Sequence, residues 1–259
     1  MLALHGIGVL VTRPSHQAVP LCRLLEIQGA RALRFAAIEI RPLAERRALA
    51  ARLGALERFA VIIFSSANAV RYGAALLEQR RDLTLAAIGP ATARALNQAG
   101  YRVSVSTSGG ADSESLLTHP KLCAVAGERI LLVKGSQGRD LLERELTRRG
   151  AAVTLAEVYR RERAVPSAAE LAVLEAHFAS REIQVITATS AEIAASLLAL
   201  ATPALRAGFE AAHWLVPSMR VSAALRAAGL QAGLILAPSA QDQDLVAALL
   251  RWRASESGA

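Results

Sequence analysis

Residues 8–41 read GVLVTRPSHQAVPLCRLLEIQGARALRFAAIEIR, and residues 129–162 read RILLVKGSQGRDLLERELTRRGAAVTLAEVYRRE. With Gly29 set on Gly150, an offset of 121 residues (150 minus 29), the two align without a gap. Arg13 then meets Lys134, Ser15 meets Ser136, Leu21 meets Leu142, Leu25 meets Leu146 and Ala30 meets Ala151. Each copy is an apolar run, a loop with a cation and a hydroxyl, an amphipathic segment, a glycine stop and a second apolar run. That is strand, helix, strand, written twice about half a chain apart. Two similar α/β lobes follow, and a cleft between similar lobes is a natural ligand site.

The remaining stretches repeat in the same order. Val61–Asn68 resembles Val185–Glu192 at an offset of 124, and residues 88–117 resemble 217–246 with Gly100 on Gly229 and Leu116 on Leu245. Short apolar runs predict strands at 8–12, 33–40, 60–64, 85–89, 102–106, 129–133, 152–159, 183–188, 213–217 and 233–237. Helical spacing predicts helices near 15–28, 67–80, 91–99, 113–118, 138–149, 167–179, 190–201, 219–228 and 241–252. This alternation predicts an α/β fold of two similar lobes, each a parallel sheet flanked by helices. Two runs, 35–42 and 155–163, lead away from the repeat, end in charge and are marked by Pro42 and Pro166. They read as antiparallel connectors, so that a two-stranded linker (36–42 and 156–166) joins a discontinuous lobe, 1–35 plus 167–259, to a second lobe, 43–155. Two thin crossings favour a hinge.

Composition narrows the class. A hydrophobic share of 53% over 259 residues is ample for buried cores, and no apolar run is long enough to span a membrane. The opening MLALHGIGVLVTRP has no basic leader and no small-residue cleavage site, so it reads as a first strand. Cys22 and Cys123 are too few for a disulfide framework; both sit in apolar contexts and read as buried reduced thiols of a cytoplasmic protein. The net charge of +8 comes almost wholly from arginine, with lysine only at Lys121 and Lys134. The arginines are scattered beside glutamates and aromatics are 4%, which argues against nucleic acid and leaves an attraction for a polyanionic small molecule.

In parallel α/β sheets ligands gather at the carboxyl ends of strands, beside helix N-termini. Six such ends carry hydroxyls or glycine: Thr12-Arg13-Pro14-Ser15, Ser65-Ser66-Ala67-Asn68, Gly89-Pro90-Ala91-Thr92, Lys134-Gly135-Ser136, Thr187-Ala188-Thr189-Ser190 and Pro217-Ser218. Taken singly, each hydroxyl reads as a helix cap contributing about 1 kcal/mol. Taken together, they read as a lining of hydroxyls and amides suited to carboxylates. No dinucleotide or phosphate loop, no metal-ligand spacing and no nucleophile elbow competes, and the five histidines stand apart from one another. Asp242 and Asp244 read as helix-start acids.

The series Val11-Thr12-Arg13-Pro14, Phe64-Ser65-Ser66-Ala67-Asn68-Ala69-Val70, Ile88-Gly89-Pro90-Ala91-Thr92-Ala93, Gly150-Ala151-x-Val153 and Val158-Tyr159-Arg160 resembles the uroporphyrinogen-III synthase family, in order and spacing, over essentially the whole chain. The resemblance implies two lobes with two linker strands and a cofactor-free lyase without metal. Its substrate would be hydroxymethylbilane, a linear tetrapyrrole with an acetate and a propionate on each ring. The enzyme expels the terminal hydroxyl as water and closes the macrocycle with the last ring inverted. Uncatalysed closure gives the non-inverted isomer, so the protein must hold the chain in one geometry and protonate a departing hydroxyl.

Residue by residue, Tyr159 matches the family's linker tyrosine and is the candidate catalytic group, since an ordinary phenol holds its proton at neutral pH and can donate it. An aromatic plug between linker and lobe is the other reading of Tyr159. Thr92 matches the family's threonine in Gly-x-x-Thr-Ala, and Ser66 and Ser190 match paired strand-end hydroxyls. The expected substrate-binding set is Thr12, Arg13, Ser65, Ser66, Gly89, Thr92, Lys134, Gly135, Thr189 and Ser190. Three departures stand out: Ser218-Met219-Arg220-Val221-Ser222 replaces a second Gly-Pro-Thr-Thr-Ala, Ala69 replaces a frequent glycine, and Lys134 stands where arginine is common. The expected partner is a polycarboxylate tetrapyrrole, with room for a transient contact with the preceding pathway enzyme, no nucleic acid, no membrane and a monomeric state. The rival reading is a non-catalytic two-lobed binding protein for an anionic small molecule. Tyr159 together with the Thr92 motif discriminates the two.

Overall fold

In a computed structural model the described residues are 2–43, 46–78, 80, 82–106, 113–138 and 140–257. The chain runs β1 (Gly8–Val11), α1 (Ser15–Ile27), β2 (Arg31–Arg34), β3 (Ile38–Pro42), α2 (Arg46–Leu53), β4 (Val61–Phe64), α3 (Ala67–Gly73), β5 (Leu85–Ala87), α4 (Gly89–Gln98), β6 (Val105–Ser106), α5 (Ser113–Leu117), α6 (Pro120–Cys123) and β7 (Arg129–Gly135). It continues through α7 (Leu141–Arg148), β8 (Ala152–Arg163), α8 (Ala168–Ala179), β9 (Val185–Thr187), α9 (Ala191–Leu198), α10 (Pro203–Ala211), β10 (His213–Val216), α11 (Met219–Ala227), β11 (Leu234–Leu236) and α12 (Asp242–Ser257). Residues up to Glu39 and from Glu162 onward form one compact unit, and Ile40–Arg161 the other.

Each unit is built on a parallel sheet, with β3 added as an antiparallel edge strand in unit 2, and helices cover both faces. In unit 1 the strand order is β11-β10-β9-β1-β2, and in unit 2 it is β3-β8-β7-β4-β5-β6. Successive strand residues point to opposite faces. Leu10, Ile186, Trp214 and Val216 therefore pack into one cluster of unit 1, while Val9, Val11, Val185 and Leu215 pack into another. Unit 2 divides likewise, with Ile62, Phe64, Leu131 and Val133 in one cluster and Val61, Ile63, Ile130 and Leu132 in the other. Strands buried on both faces read as continuous apolar runs, which is why VLV, VIIF and ILLV carry no polar alternation.

The sequence repeat is a structural repeat. β1, β2, β9, β10 and β11 of unit 1 correspond to β7, β8, β4, β5 and β6 of unit 2, and the spatial order of the five is identical. Only the chain order differs: the three strands that unit 1 places after its interruption, β9 to β11, correspond to β4 to β6, which in unit 2 precede the pair β7 and β8. The units are circular permutations of one doubly wound sheet. Helix ends repeat as well. After α1, Ala30 N–H bonds Leu25 O at 3.1 Å and Gly29 N–H bonds Glu26 O at 2.9 Å; after α7, Ala151 bonds Leu146 at 3.0 Å and Gly150 bonds Thr147 at 2.9 Å. This double cap needs a left-handed residue, and Gly29 (φ 90°) and Gly150 (φ 87°) supply it. The apolar pairs that accompany it, Leu25 with Ala30 and Leu146 with Ala151, are buried.

Several local expectations are corrected. The strand expected over 33–40 is two strands, because residues 35–37 leave β2 while Phe35 and Ala37 N–H still bond Val11 and Thr12 carbonyls at the end of β1. The connectors also belong to a sheet: β8 pairs in parallel with β7 from Ala152 onward, and β3 is the outer strand beside it. Leu43 N–H bonds Val158 O, and Ala164 N–H bonds Ala37 O; both pairs sum to 201, the constant an antiparallel register requires. The helix expected over 67–80 ends at Gly73 and tightens into a 3₁₀ turn, Ala74–Leu77, and the strand expected over 102–106 shrinks to two residues. Helices α2, α6 and α10 add to the expected set. Cys22 is buried, but Cys123, at the last position of the four-residue α6, is exposed. Among the described residues no helix is long and apolar enough to cross a membrane.

Candidate active site

In a doubly wound sheet the switch point lies where the chain leaves neighbouring strands in opposite directions, and ligands bind outside the strand ends there. Unit 1 has its switch point between β1 and β9, and unit 2 between β7 and β4. The two are built from equivalent residues and have different contents.

At the unit 1 switch point the polar groups are committed to each other. Thr12 is fully buried; its hydroxyl donates to Thr187 O, and its N–H bonds Thr187 Oγ1 at 3.3 Å. Thr187 Oγ1 in turn donates to Leu10 O at 3.2 Å. The Arg13 guanidinium pairs with Asp242 and donates to Ala240 O, so the start of α12 neutralises it. Ser190 caps α9, its Oγ accepting from Ile193 N–H at 3.1 Å, and Thr189 beside it is half-buried.

Unit 2 is open at the same place. A cavity of about 320 Å³ is lined by Ser65, Ser66, Lys134, Gly135, Tyr159 and Arg161, among others. Ser66 caps α3, its Oγ accepting from Ala69 N–H at 3.1 Å. The same Oγ lies 3.1 Å from Tyr159 Oη. Tyr159 is buried except at this edge, packs its ring 6.0 Å from that of Tyr72, and accepts from Ser136 N–H at its own carbonyl. Tyr72 is anchored by donation to Ile40 O at 3.0 Å. Gly135 makes the arrangement sterically possible: a Cβ there would stand 2.7 Å from Tyr159 Cζ and 3.1 Å from its Oη. A β-bulge between Lys134 and Gly135 shifts the register so that Gly135 faces Tyr159.

Of the residues expected from sequence, Ser65, Ser66, Lys134, Gly135 and Tyr159 therefore meet around one cavity. Gly89 and Thr92 are buried in the first turn of α4, which follows the neighbouring strand β5, and Ile88 before them reaches the cavity wall. Thr12, Arg13, Thr189 and Ser190 belong to unit 1. Sequence reasoning missed Tyr72, Gln137 and Arg161; only Arg161 carried a signal, as part of the charged end of the second repeat. Of the strand-end hydroxyls, Ser66, Ser190 and Ser218 do cap helices. Burial pushes the Cys22 thiol up, with Glu26 adding to it, which fits an inert core thiol. Among the described residues no group of three or more His, Cys, Asp or Glu is arranged to hold a metal ion.

Two permuted copies of one doubly wound sheet, with hydroxyls and a cation at an open switch point, define a duplicated α/β protein with a polar pocket. The family model described as Uroporphyrinogen-III synthase HemD matches residues 20–247, and the chain belongs to the uroporphyrinogen-III synthase family. It is 33% identical to the uroporphyrinogen-III synthase of Escherichia coli (strain K12) over 214 residues, 81% of this chain and 84% of that protein. The Salmonella typhimurium enzyme of the same name is 33% identical over 215 residues, again 81% of this chain and 84% of the relative. Among solved structures, uroporphyrinogen-III synthetase from Helicobacter pylori 26695 superposes with a TM-score of 0.61 at 13% identity, covering 95% of this chain and 99% of that one. A mutant uroporphyrinogen III synthase from the extremely thermophilic bacterium Thermus thermophilus gives 0.56 at 20% identity, covering 98% and 100%. At such identities these structures speak for the fold.

Proposed function

We propose that this chain is a uroporphyrinogen-III synthase, a cyclising lyase of haem biosynthesis. In that reading it expels the terminal hydroxyl of hydroxymethylbilane as water and closes the macrocycle with the last ring inverted. Family membership over most of the chain supports an enzyme rather than a non-catalytic binding protein. The geometry that carries the chemistry is the Ser66–Tyr159 hydroxyl pair on the cavity wall.

Breaking the C–O bond requires a proton on the departing oxygen. Ser66 Oγ already accepts from Ala69 N–H. When its own proton goes to Tyr159 Oη, the phenolic proton is left for the ligand. Tyr159 then donates to the leaving hydroxyl, and the pyrrole carbon that forms the new bond releases the proton that restores the phenol. The net change is loss of one water with no change of oxidation state, so the reaction calls for no redox cofactor. Regiochemistry is the harder task, and a fixed geometry supplies it. Ser65, Lys134, the Gly135 backbone, Gly89 and Thr92 are the unit 2 candidates for holding the substrate. In unit 1, Thr189 and Ser190 are the candidates, while Thr12 and Arg13 brace the loop through Thr187 and Asp242. The same reading makes the protein a cytoplasmic monomer in passing contact with the enzyme that supplies its labile substrate. The deciding measurement is incubation with freshly prepared hydroxymethylbilane, oxidation of the product and separation of isomers. Predominance of isomer III supports the reading, and isomer I at the spontaneous rate overturns it.

A further inference from the structure

Arg13 and Lys134 are equivalent in the repeat, and each is 9% exposed at the carboxyl end of a strand flanking a switch point. Their surroundings differ in one respect. Arg13 is neutralised by Asp242 and the Ala240 carbonyl. The Lys134 ammonium makes no hydrogen bond or ion pair with any described residue, Glu157, its register partner on β8, included. Lys134 as a residue keeps little surface through which water can hydrate its charge, and that carries a cost. The cost is relieved when an anion enters, and Lys134 lines the cavity that would admit one.

We propose that Lys134 seats a carboxylate arm of a single pyrrole ring inside unit 2, beside the Ser66–Tyr159 pair. The assignment rests on the synthase reading for the identity of the ligand and adds which unit grips an acid arm and through which residue. The size agrees: about 320 Å³ is at the lower end of ligand-pocket volumes, roughly 300–1,000 Å³, room for one ring and its arms rather than four. A ring held by its acid arm against a hydroxyl wall cannot turn freely. Lys134 is therefore a specificity residue, and its loss weakens binding and erodes the inverted isomer together.

The chain's two lysines make a direct test, because Lys121 is exposed and serves as an internal control. The native protein is acylated with a water-soluble amine reagent, and the two sites are followed by peptide mass spectrometry. The probe is a free pyrrole bearing one acetate and one propionate, compared with its dimethyl ester. The diacid should slow acylation of Lys134 by about tenfold at saturating concentration, the order of factor one charge-assisted hydrogen bond gives. Lys121 should be unaffected, and the ester should not protect. Absence of protection, or equal protection by the ester, overturns the proposal. In parallel, Lys134→Gln should raise KM about tenfold and increase the share of isomer I, with Lys134→Arg restoring both. Unchanged KM and isomer ratio in a folded Lys134→Gln protein would defeat the assignment while leaving the synthase reading intact. Failure of the unmodified protein to form isomer III would strike that reading instead, and the acylation result would still decide whether Lys134 binds a carboxylate.

Discussion

Gly135 positions Tyr159 by lacking a side chain: a Cβ on the glycine would lie 2.7 Å from Tyr159 Cζ, inside any real contact distance. Gly135→Ala must therefore displace the ring or the end of β7. Loss of the 3.1 Å contact between Ser66 Oγ and Tyr159 Oη is the expected consequence. The variant should fold, with stability lowered by about 1–3 kcal/mol as for other overpacked sites, and lose most activity. Thermal unfolding and isomer analysis on the same preparation separate the two effects.

Tyr159→Phe keeps the ring that fills the space over Gly135 and removes the O–H. If the phenol donates to the leaving hydroxyl, kcat should fall by about 10²–10⁴-fold, the usual range for general acid assistance, with little change in KM. Wild-type turnover and isomer ratio would leave Tyr159 as a packing residue.

Asp242→Ala leaves Arg13 buried without its counter-charge. Exposed ion pairs contribute about 0–1 kcal/mol, whereas breaking a buried one costs about 3–5 kcal/mol. With Arg13 at 10% and Asp242 at 24% side-chain exposure, an intermediate loss of about 2 kcal/mol is expected. Arg13→Met combined with Asp242→Leu should recover part of it. Denaturant midpoints for the single and double variants test the coupling.

Acid should loosen the α5–α6–α7 corner of unit 2. Hydrogen bonds from Arg148 and then Arg149 hold the Glu145 carboxyl at about 2, below its ordinary 4.5. Arg149 also donates to Leu117 O at 2.7 Å and Leu122 O at 2.8 Å, tying three helices together. Because the folded value is lowered, the contribution is complete above the ordinary value and disappears as pH falls through about 2. Wild type should exceed Glu145→Gln in stability near neutrality, and their denaturation midpoints should converge as the carboxyl protonates.

The repeat made the strand plan legible because both copies of a buried parallel strand are short, continuous and apolar, and because Gly29 and Gly150 mark where helices stop. Elements without such marks were lost. In α2 Leu49 and Leu53 are buried among arginines and alanines, too sparse to show a helical stripe. Ahead of α10 the Thr202-Pro203 start is present, since Thr202 caps the helix, but the Ala/Leu run around it hides the boundary. The candidate site was visible as residue types at strand ends, without their commitments. Nothing in Thr12-Arg13 and Val133-Lys134 distinguishes a cation that pairs from one that does not; Asp242, 229 residues from Arg13, makes the difference. Cys123 misled for a related reason, since apolar neighbours in sequence do not ensure burial at the end of a one-turn helix.

Permutation also gives the two units different histories on the ribosome. All of Ile40–Arg161 is synthesised without interruption, so β4 to β8 can pair as soon as β8 has emerged. Unit 1 has to wait: β1 pairs with β9 through Val9–Val185 and Leu10–Ile186, and until β9 appears its first two strands lack a middle. The unit that holds Tyr159 and Lys134 can thus complete its sheet first, while the other keeps an open strand edge through more than a hundred residues of elongation. Amide protection measured on stalled nascent chains should appear in β4 and β7 well before β1.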